Sequence, residues 1–216
     1  MVNLDHTNIL SLKGPFEVLS GKSNTINSCR YSDAIGVMFF AIPVNDDYYL
    51  DYIGHTGASF KKYVRGSIRS NIRKGEYRSL CPKEAKNGKC KVLWKGFWRF
   101  RSLKKTDPRK YNKEMKDWDR QESTFRPIIE EYLDLLKVFV VPLEGKEPAK
   151  VRKKKAQDLK GHFYRYFYGM PRNDPVVRFL PFDIQVPRRM HLLDHEKLVI
   201  SNPEVIVGMP RELIID

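Results

Sequence analysis

The apolar residues of this chain are concentrated first in residues 34–42, which contain no charged side chain. Such a run is typical of a buried β-strand. Asn45, Asp46 and Asp47 then supply residues that favour a turn. Residues 48–53 are again aromatic and branched, so the pattern predicts an antiparallel hairpin.

Two glycines and a basic segment follow the hairpin. Gly54 and Gly57 are expected to bend the backbone sharply. Ser59 is a suitable N-cap for a basic helix that runs to about Lys74. A helix that begins beside the end of a hairpin can direct its unpaired N–H groups at an anion. The segment therefore predicts a phosphate site.

The later periodicity predicts further elements, with a polar loop between residues 81 and 90. We expect a strand-like aromatic segment at residues 91–100, a helix from residue 122 and a strand at residues 138–143. A second helix is expected at residues 159–167, followed by two short strands in the tail, at residues 197–201 and 205–207. Trp94 and Phe97 are expected in the core, and Pro127 in the first turn of its helix. Residues 144–155 are expected to form a loop that ends in a basic run.

Composition limits the class of partner. The chain has 216 residues, 40 basic and 26 acidic, and a formal net charge of +14. Such an excess of positive charge favours a polyphosphate partner, of which nucleic acid is the commonest. A hydrophobic content of 41% is sufficient for a proper core, so wholesale disorder is not expected.

The sequence also bears on location. We expect neither an exported nor a membrane-spanning protein, because no apolar run approaches 18 residues and no apolar N-terminal segment occurs. Cys29, Cys81 and Cys90 match no zinc-binding spacing and suit free thiols. A cytoplasmic location is therefore expected.

The order of these motifs resembles that of the GIY-YIG nuclease family. The features that carry the resemblance are an apolar strand, a turn, Tyr52-Ile53-Gly54, Thr56-Gly57, Ser59-Phe60 and a basic helix. Further along the chain, the resemblance includes a glycine–tyrosine break after the basic helix, a segment that contains tryptophan, a strand that ends in Pro-Leu and a last helix. The resemblance implies an α+β fold, in which a small, mainly antiparallel central sheet is flanked by helices. It spans residues 33–175, between an N-terminal extension (1–32) and a short β-containing C-terminal extension (176–216).

The resemblance also implies phosphodiester chemistry. Family members use two tyrosines, an arginine, often a histidine, and a glutamate that holds a divalent metal. Tyrosine can accept a proton, arginine compensates the charge of the phosphate, and the metal stabilises the leaving oxygen.

Only one of these five positions is retained here, as Tyr52. The others hold residues of different chemistry: Met38 (or Phe40 in a shifted register) for the first tyrosine, Tyr63 for the arginine, Ser67 for the histidine and Lys160 for the glutamate. The sequence therefore predicts a degenerate active site. No cofactor is expected, and Mg²⁺ or Mn²⁺ is implied only if the chain is active.

Neighbouring residues could replace the lost ones. Arg65 and Asp158 lie two positions from the family's arginine and glutamate positions, which on a helix directs them roughly 200° away. Tyr48 and Tyr49 offer hydroxyls, and Glu122 offers a carboxylate. His191 and His195 share a helical spacing but lack a third ligand.

A basic surface is the stronger functional prediction. Arg65, Arg69 and Arg73 recur every four residues without acidic partners at that spacing, and Arg99 and Arg101 alternate with aromatic residues. The predicted nucleic-acid-binding residues are Lys61, Lys62, Arg65, Arg69, Arg73, Arg99, Arg101, Lys153, Lys154 and Lys155.

Three functions remain open from the sequence. The first is a nucleic-acid-binding protein, with DNA favoured over RNA, that has lost catalysis. The second is an active metal-dependent endonuclease with atypical residues. The third is a protein-interaction subunit, with a protein partner or a second copy of the chain docking on residues 176–216.

Overall fold

The structure, a computed structural model, describes residues 7–19, 21–145, 147–181 and 196–215. Its architecture is α+β, as predicted, with mainly antiparallel sheets and helices on both faces of the largest one. No helix in the described ranges is both long enough and apolar enough to cross a membrane.

The largest sheet has four antiparallel strands. In chain order they are β2 (Lys13–Glu17), β3 (Gly36–Val44), β4 (Asp47–Thr56) and β7 (Lys137–Pro142), arranged as β2-β7-β3-β4. The predicted hairpin is β3–β4, in which Met38 pairs with Gly54 and Phe40 with Tyr52. Its turn contains Asn45 at a φ of 55°, a conformation that asparagine tolerates. The hairpin prediction and the 138–143 strand prediction are confirmed.

The predicted basic helix, α1, is continuous over three segments, Phe60–Lys62, Tyr63–Arg69 and Ser70–Arg73, of which the middle one is π-helical. The Ser59 side chain caps it by accepting a hydrogen bond from the Lys62 N–H at 3.3 Å. Its buried residues recur every four positions. A repeat of four residues exceeds the 3.6 residues per turn of an α-helix. The wider turn of the π-helical segment therefore keeps these side chains on one face.

The segment after α1 differs from the predictions. Residues 81–90 are not only loop, because α2 (Pro82–Lys86) lies between β5 (Ser79–Leu80) and β6 (Val92–Trp94). The expected strand over 91–100 is wrong beyond Trp94. Gly96, at a φ of 88°, turns the chain into a 3₁₀ helix, Phe97–Phe100. The prediction that Trp94 and Phe97 lie in the core is confirmed.

Two helices begin earlier than predicted. After the short α3 (Leu103–Thr106), α4 spans Pro108–Leu135, so Pro127 lies inside it and not in its first turn. The charged first half shows little apolar periodicity, yet the Asp107 carboxylate caps it at 3.0 Å from the Lys110 N–H. Arg126 and Glu122 add an ion pair four residues apart.

The expected loop over 144–155 is also wrong in its second half. Helix α5 spans Ala149–Tyr168 and ends at Gly169, so the basic run is helical. Leu159, Phe163 and Phe167 pack on one face of the central sheet, whereas α1 and α4 cover the other. The sheet thus separates two hydrophobic cores.

The chain ends form a second, three-stranded sheet. Strand β1 (Thr7–Ser11) pairs in parallel with β8 (Glu196–Ser201), which pairs antiparallel with β9 (Glu212–Ile215). The predicted strand at 197–201 is confirmed, but that at 205–207 is wrong, because a 3₁₀ turn, Pro203–Val205, occupies its start. His191 and His195 lie outside the described residues.

Candidate functional site

Two tyrosine hydroxyls meet where β4 passes α1. The hydroxyl oxygens of Tyr52 and Tyr63 lie 3.3 Å apart. Gly54 permits this approach, because a Cβ at that position would lie 3.1 Å from the Tyr63 hydroxyl. The predicted bend at Gly54 is wrong, since the residue sits inside β4 and its lack of a side chain makes room for a ring. Burial raises the pKa of both tyrosines, most of all that of Tyr63.

Helix α5 brings a lysine close to β4. The Lys160 ammonium lies 4.8 Å from the centre of the Tyr164 ring, and the Tyr164 hydroxyl donates to the Ile53 carbonyl of β4 at 2.9 Å. Burial lowers the pKa of Lys160. The Tyr164 hydroxyl thus contacts the backbone of β4 at the residue that follows Tyr52.

His55 reports the sign of the local potential. Burial, followed by the positive charges of Lys160 and Lys153, lowers the pKa of its imidazole to about 4. Lys153 packs against Gly57, where a Cβ would lie 2.9 Å from the lysine Cβ. The imidazole is therefore neutral at pH 7, in a positive environment.

Of the three positions that the resemblance assigned, Tyr52 and Tyr63 meet through their hydroxyls, whereas Lys160 lies on α5 beside Tyr164. At the position of the first family tyrosine, Met38 is fully buried and Phe40 packs against Tyr52 with ring centres 5.9 Å apart. Neither residue supplies a hydroxyl.

The residues of this site do not fit a divalent cation. Within the described ranges, no group of three or more histidine, cysteine, aspartate or glutamate side chains could hold a metal. Two lysine ammonium groups raise the energy of any cation at His55. The chemistry of the site favours an anion.

The phosphate site predicted at the start of α1 is wrong. The N–H groups of Phe60 and Lys61 donate to the carbonyls of Ala34 and Ser32, at 3.1 and 3.0 Å. The next N–H, of Lys62, donates to Ser59. Because these donors are already satisfied, an anion must be held by side chains.

The arginine stripe on α1 is less available than its spacing indicated. Arg73 forms a bidentate pair with Glu130 of α4, with both N–O distances at 2.6 Å. Arg69 is half-buried, and Arg65 is exposed. No acidic partner lies at that spacing on α1 itself, as predicted, but Glu130 of another helix already pairs with Arg73.

Some of the other predicted basic residues are likewise paired with acidic side chains, and others are exposed without such a partner. Lys61 pairs with Asp33 at 2.8 Å, Lys155 with Glu147 at 2.8 Å and Arg101 with Glu76 at 3.0 Å. Lys62, Lys153 and Lys154 are exposed and form no ion pair with any residue in the described ranges. Arg99 and Arg101 lie in and just after a 3₁₀ turn, not on a strand, and Lys153, Lys154 and Lys155 lie in α5, not in a flexible loop.

Three of the proposed substitutes for the lost family residues lie elsewhere or are engaged. Glu122 pairs with Arg126 on α4. Tyr48 packs edge-on against Phe139 and Tyr49 against Phe179, so both belong to the core.

Sequence reasoning missed His55, Tyr77, Tyr164 and Trp98. Tyr164 follows Lys160 by four residues, so helical spacing could have placed it on the same face. The Tyr77 ring lies 6.4 Å from the Tyr52 ring and 6.4 Å from the indole of Trp98. That row depends on a fold contact between distant segments, which the sequence pattern does not indicate.

Comparison with known proteins adds no assignment: no family model, no curated protein and no solved structure matches the chain.

Proposed function

We propose that this protein binds nucleic acid, DNA in preference to RNA, and does not cleave it. The observation that carries the proposal is the position of Lys160. Its ammonium lies 4.8 Å from the centre of the Tyr164 ring on α5, at the position that the resemblance to GIY-YIG nucleases assigns to a metal-binding glutamate. On this proposal, the chain retains nucleic-acid binding and has lost metal-dependent cleavage.

The electrostatics of the site support phosphate recognition. Lys160 and Lys153 lower the pKa of His55, and no carboxylate contributes to the pKa shift of either His55 or Lys160. An anionic phosphate oxygen is the ligand that such a site stabilises. The formal charge of +14 favours the same partner over the whole chain.

The tyrosines support the absence of catalysis. A tyrosine that activates water must lose its proton or share it readily. Burial raises the pKa of Tyr52, which opposes that step.

A cytoplasmic location accords with the three cysteines, which are free thiols.

Salt-dependent binding tests this proposal. Fluorescence anisotropy with a labelled duplex, in EDTA, gives the slope of log affinity against log salt. The slope should become shallower by about one to two units in a Lys153→Gln/Lys160→Gln variant, because each contacted duplex phosphate contributes about −0.9. A matched RNA duplex should bind more weakly.

A charge-matched control distinguishes binding at Lys153 and Lys160 from nonspecific electrostatic attraction. Lys83 and Lys86 are exposed on α2, beside the opposite end of the β3–β4 hairpin. Their replacement by glutamine should change the slope less. Equal slopes for both double variants would contradict a phosphate site at Lys153 and Lys160. No affinity for any nucleic acid at low salt would instead leave the protein-interaction function.

A further inference from the structure

Trp98 is an exposed aromatic residue in a rigid setting. About 60% of its surface is accessible, whereas its neighbours Phe97 and Phe100 in the same 3₁₀ turn are buried. The two buried rings anchor the turn in the core, which leaves the indole directed outward. Tryptophan is enriched at contact surfaces, because it combines a large apolar ring with a polar N–H group.

Hydrogen bonds fix this turn to the end of α1. The Phe97 N–H donates to the Gly75 carbonyl at 2.8 Å, and the Trp98 N–H donates to the Glu76 carbonyl at 2.9 Å. The Trp94 indole donates to the same Gly75 carbonyl at 2.7 Å. The backbone that carries Trp98 is therefore held in place before any ligand binds, which lowers the entropy cost of binding.

Positive charge accompanies the ring. The Arg101 guanidinium lies 4.3 Å from the centre of the Trp98 ring and also pairs with Glu76. Lys95 and Arg99 are exposed on either side of the indole in the sequence. Phosphates that flank a base bound at the indole would therefore meet cations.

The ring is continuous with the site already described. Tyr77 contacts the Trp98 indole edge-on, with an interplanar angle of 80°, and its other neighbour is Tyr52. Two ring contacts of 6.4 Å each thus connect the exposed indole to the Tyr52 and Tyr63 hydroxyls.

We propose that Trp98 stacks on an unpaired base of the nucleic acid, so that the preferred ligand is single-stranded or locally unpaired. This inference rests on the proposed function, because it assumes that phosphates of the same strand occupy the Lys153 and Lys160 site. In an intact duplex both faces of an internal base are already stacked, whereas a single strand offers a free face to an aromatic side chain.

Tryptophan fluorescence tests the stacking directly. The chain has three tryptophans, and Trp94 and Trp118 are only 7% and 4% exposed. A 12-mer of thymidine should quench the emission of Trp98, and a 12-mer of abasic spacers with the same phosphates should not. A Trp98→Phe variant should lose the quenching but keep most of the affinity.

A double-mutant cycle isolates the contribution of the base. Trp98→Ala should bind the thymidine 12-mer about 5- to 150-fold more weakly and the abasic 12-mer unchanged. Lys153→Gln/Lys160→Gln should weaken both ligands alike. Val92→Ala, which removes another exposed apolar side chain, should change neither affinity.

The outcomes separate this inference from the proposed function. Equal affinity of the natural chain for the thymidine and abasic 12-mers would overturn base stacking and leave nucleic-acid binding in place. A preference for intact duplex over single strand would do the same. No affinity for any of these oligonucleotides at low salt would overturn both proposals.

Discussion

Removal of one buried hydroxyl should destabilise the chain by a predictable amount. The Tyr132 hydroxyl donates to Asp51 Oδ2 at 2.6 Å, and Asp51 Oδ1 accepts from Arg78. Arg78 also donates to the Phe179 carbonyl, so the cluster connects β4, the segment after α1, α4 and the segment after α5. In Tyr132→Phe, Asp51 Oδ2 loses its partner while the phenyl ring keeps its packing.

The magnitude follows from the burial of the carboxylate. Asp51 is 5% exposed and Tyr132 is 1% exposed, so water does not readily replace the lost hydroxyl. A hydrogen bond to a charged group contributes about 1.5–3 kcal/mol to stability. The variant should therefore lose about 2 kcal/mol. With a urea m-value of about 2 kcal/mol/M, the midpoint should fall by about 1 M.

Urea unfolding followed by circular dichroism measures this loss, and Tyr111→Phe is its control. Tyr111 lies in the same helix and is half-buried, and its hydroxyl forms no hydrogen bond within the described part of the chain. Tyr111→Phe should change the free energy of unfolding by less than about 0.5 kcal/mol. An equally small change in Tyr132→Phe would refute the reasoning that Asp51 depends on this hydroxyl.

Three further predictions concern charge at the site. By NMR, the imidazole of His55 should titrate at about 4, and Lys160→Ala should raise that pKa towards 6.5, because one cation is removed. Since the pKa of His55 in the folded chain lies below its ordinary value, the contribution of neutral His55 to the free energy of unfolding is complete above about pH 6.5 and is lost as the pH falls through 4. A His55 pKa at the ordinary value would contradict the burial and positive surroundings of the imidazole. Arg73→Gln should change the salt slope of DNA binding less than Arg65→Gln, because Glu130 already neutralises Arg73; equal changes would contradict that assignment. Lys160→Glu should weaken binding and should not create metal-dependent cleavage, because the arginine position would still be empty; recovery of cleavage would show otherwise.

Local signals explain the elements that the sequence predicted. The β3–β4 hairpin has an apolar run, a turn rich in asparagine and aspartate, and a second β-forming run within about twenty residues. Helix α1 has a serine cap and an apolar residue every four positions. Both depend mainly on contacts between neighbours in the chain, which periodicity records.

The missed elements depend on distant partners or on charge. Strands β1 and β2 are five residues long, and their pairing partners lie beyond residue 136, so no local pattern marks them. The first halves of α4 and α5 are highly charged and expose most of their side chains. The Asp107 cap and the Asp117–Arg120 ion pair stabilise the first half of α4, and the Glu147–Lys155 ion pair stabilises the start of α5.

The structure bears on the candidate site in part. Tyr52 and Tyr63, which the resemblance singled out, meet through their hydroxyls, and Lys160 lies beside Tyr164. Tyr77 and His55 were not singled out, because the surroundings of Tyr77 arise from packing between distant segments and those of His55 from burial and two nearby lysines. The sequence showed where cations were abundant, whereas the fold showed which were already neutralised.

The most direct test of the central claim is a parallel measurement of binding and cleavage on the same oligonucleotide. We predict the same affinity in EDTA as in Mg²⁺ or Mn²⁺ at constant ionic strength, with no cleavage product in any of the three. Metal-dependent product that disappears in Tyr52→Phe would contradict the account and establish an active nuclease.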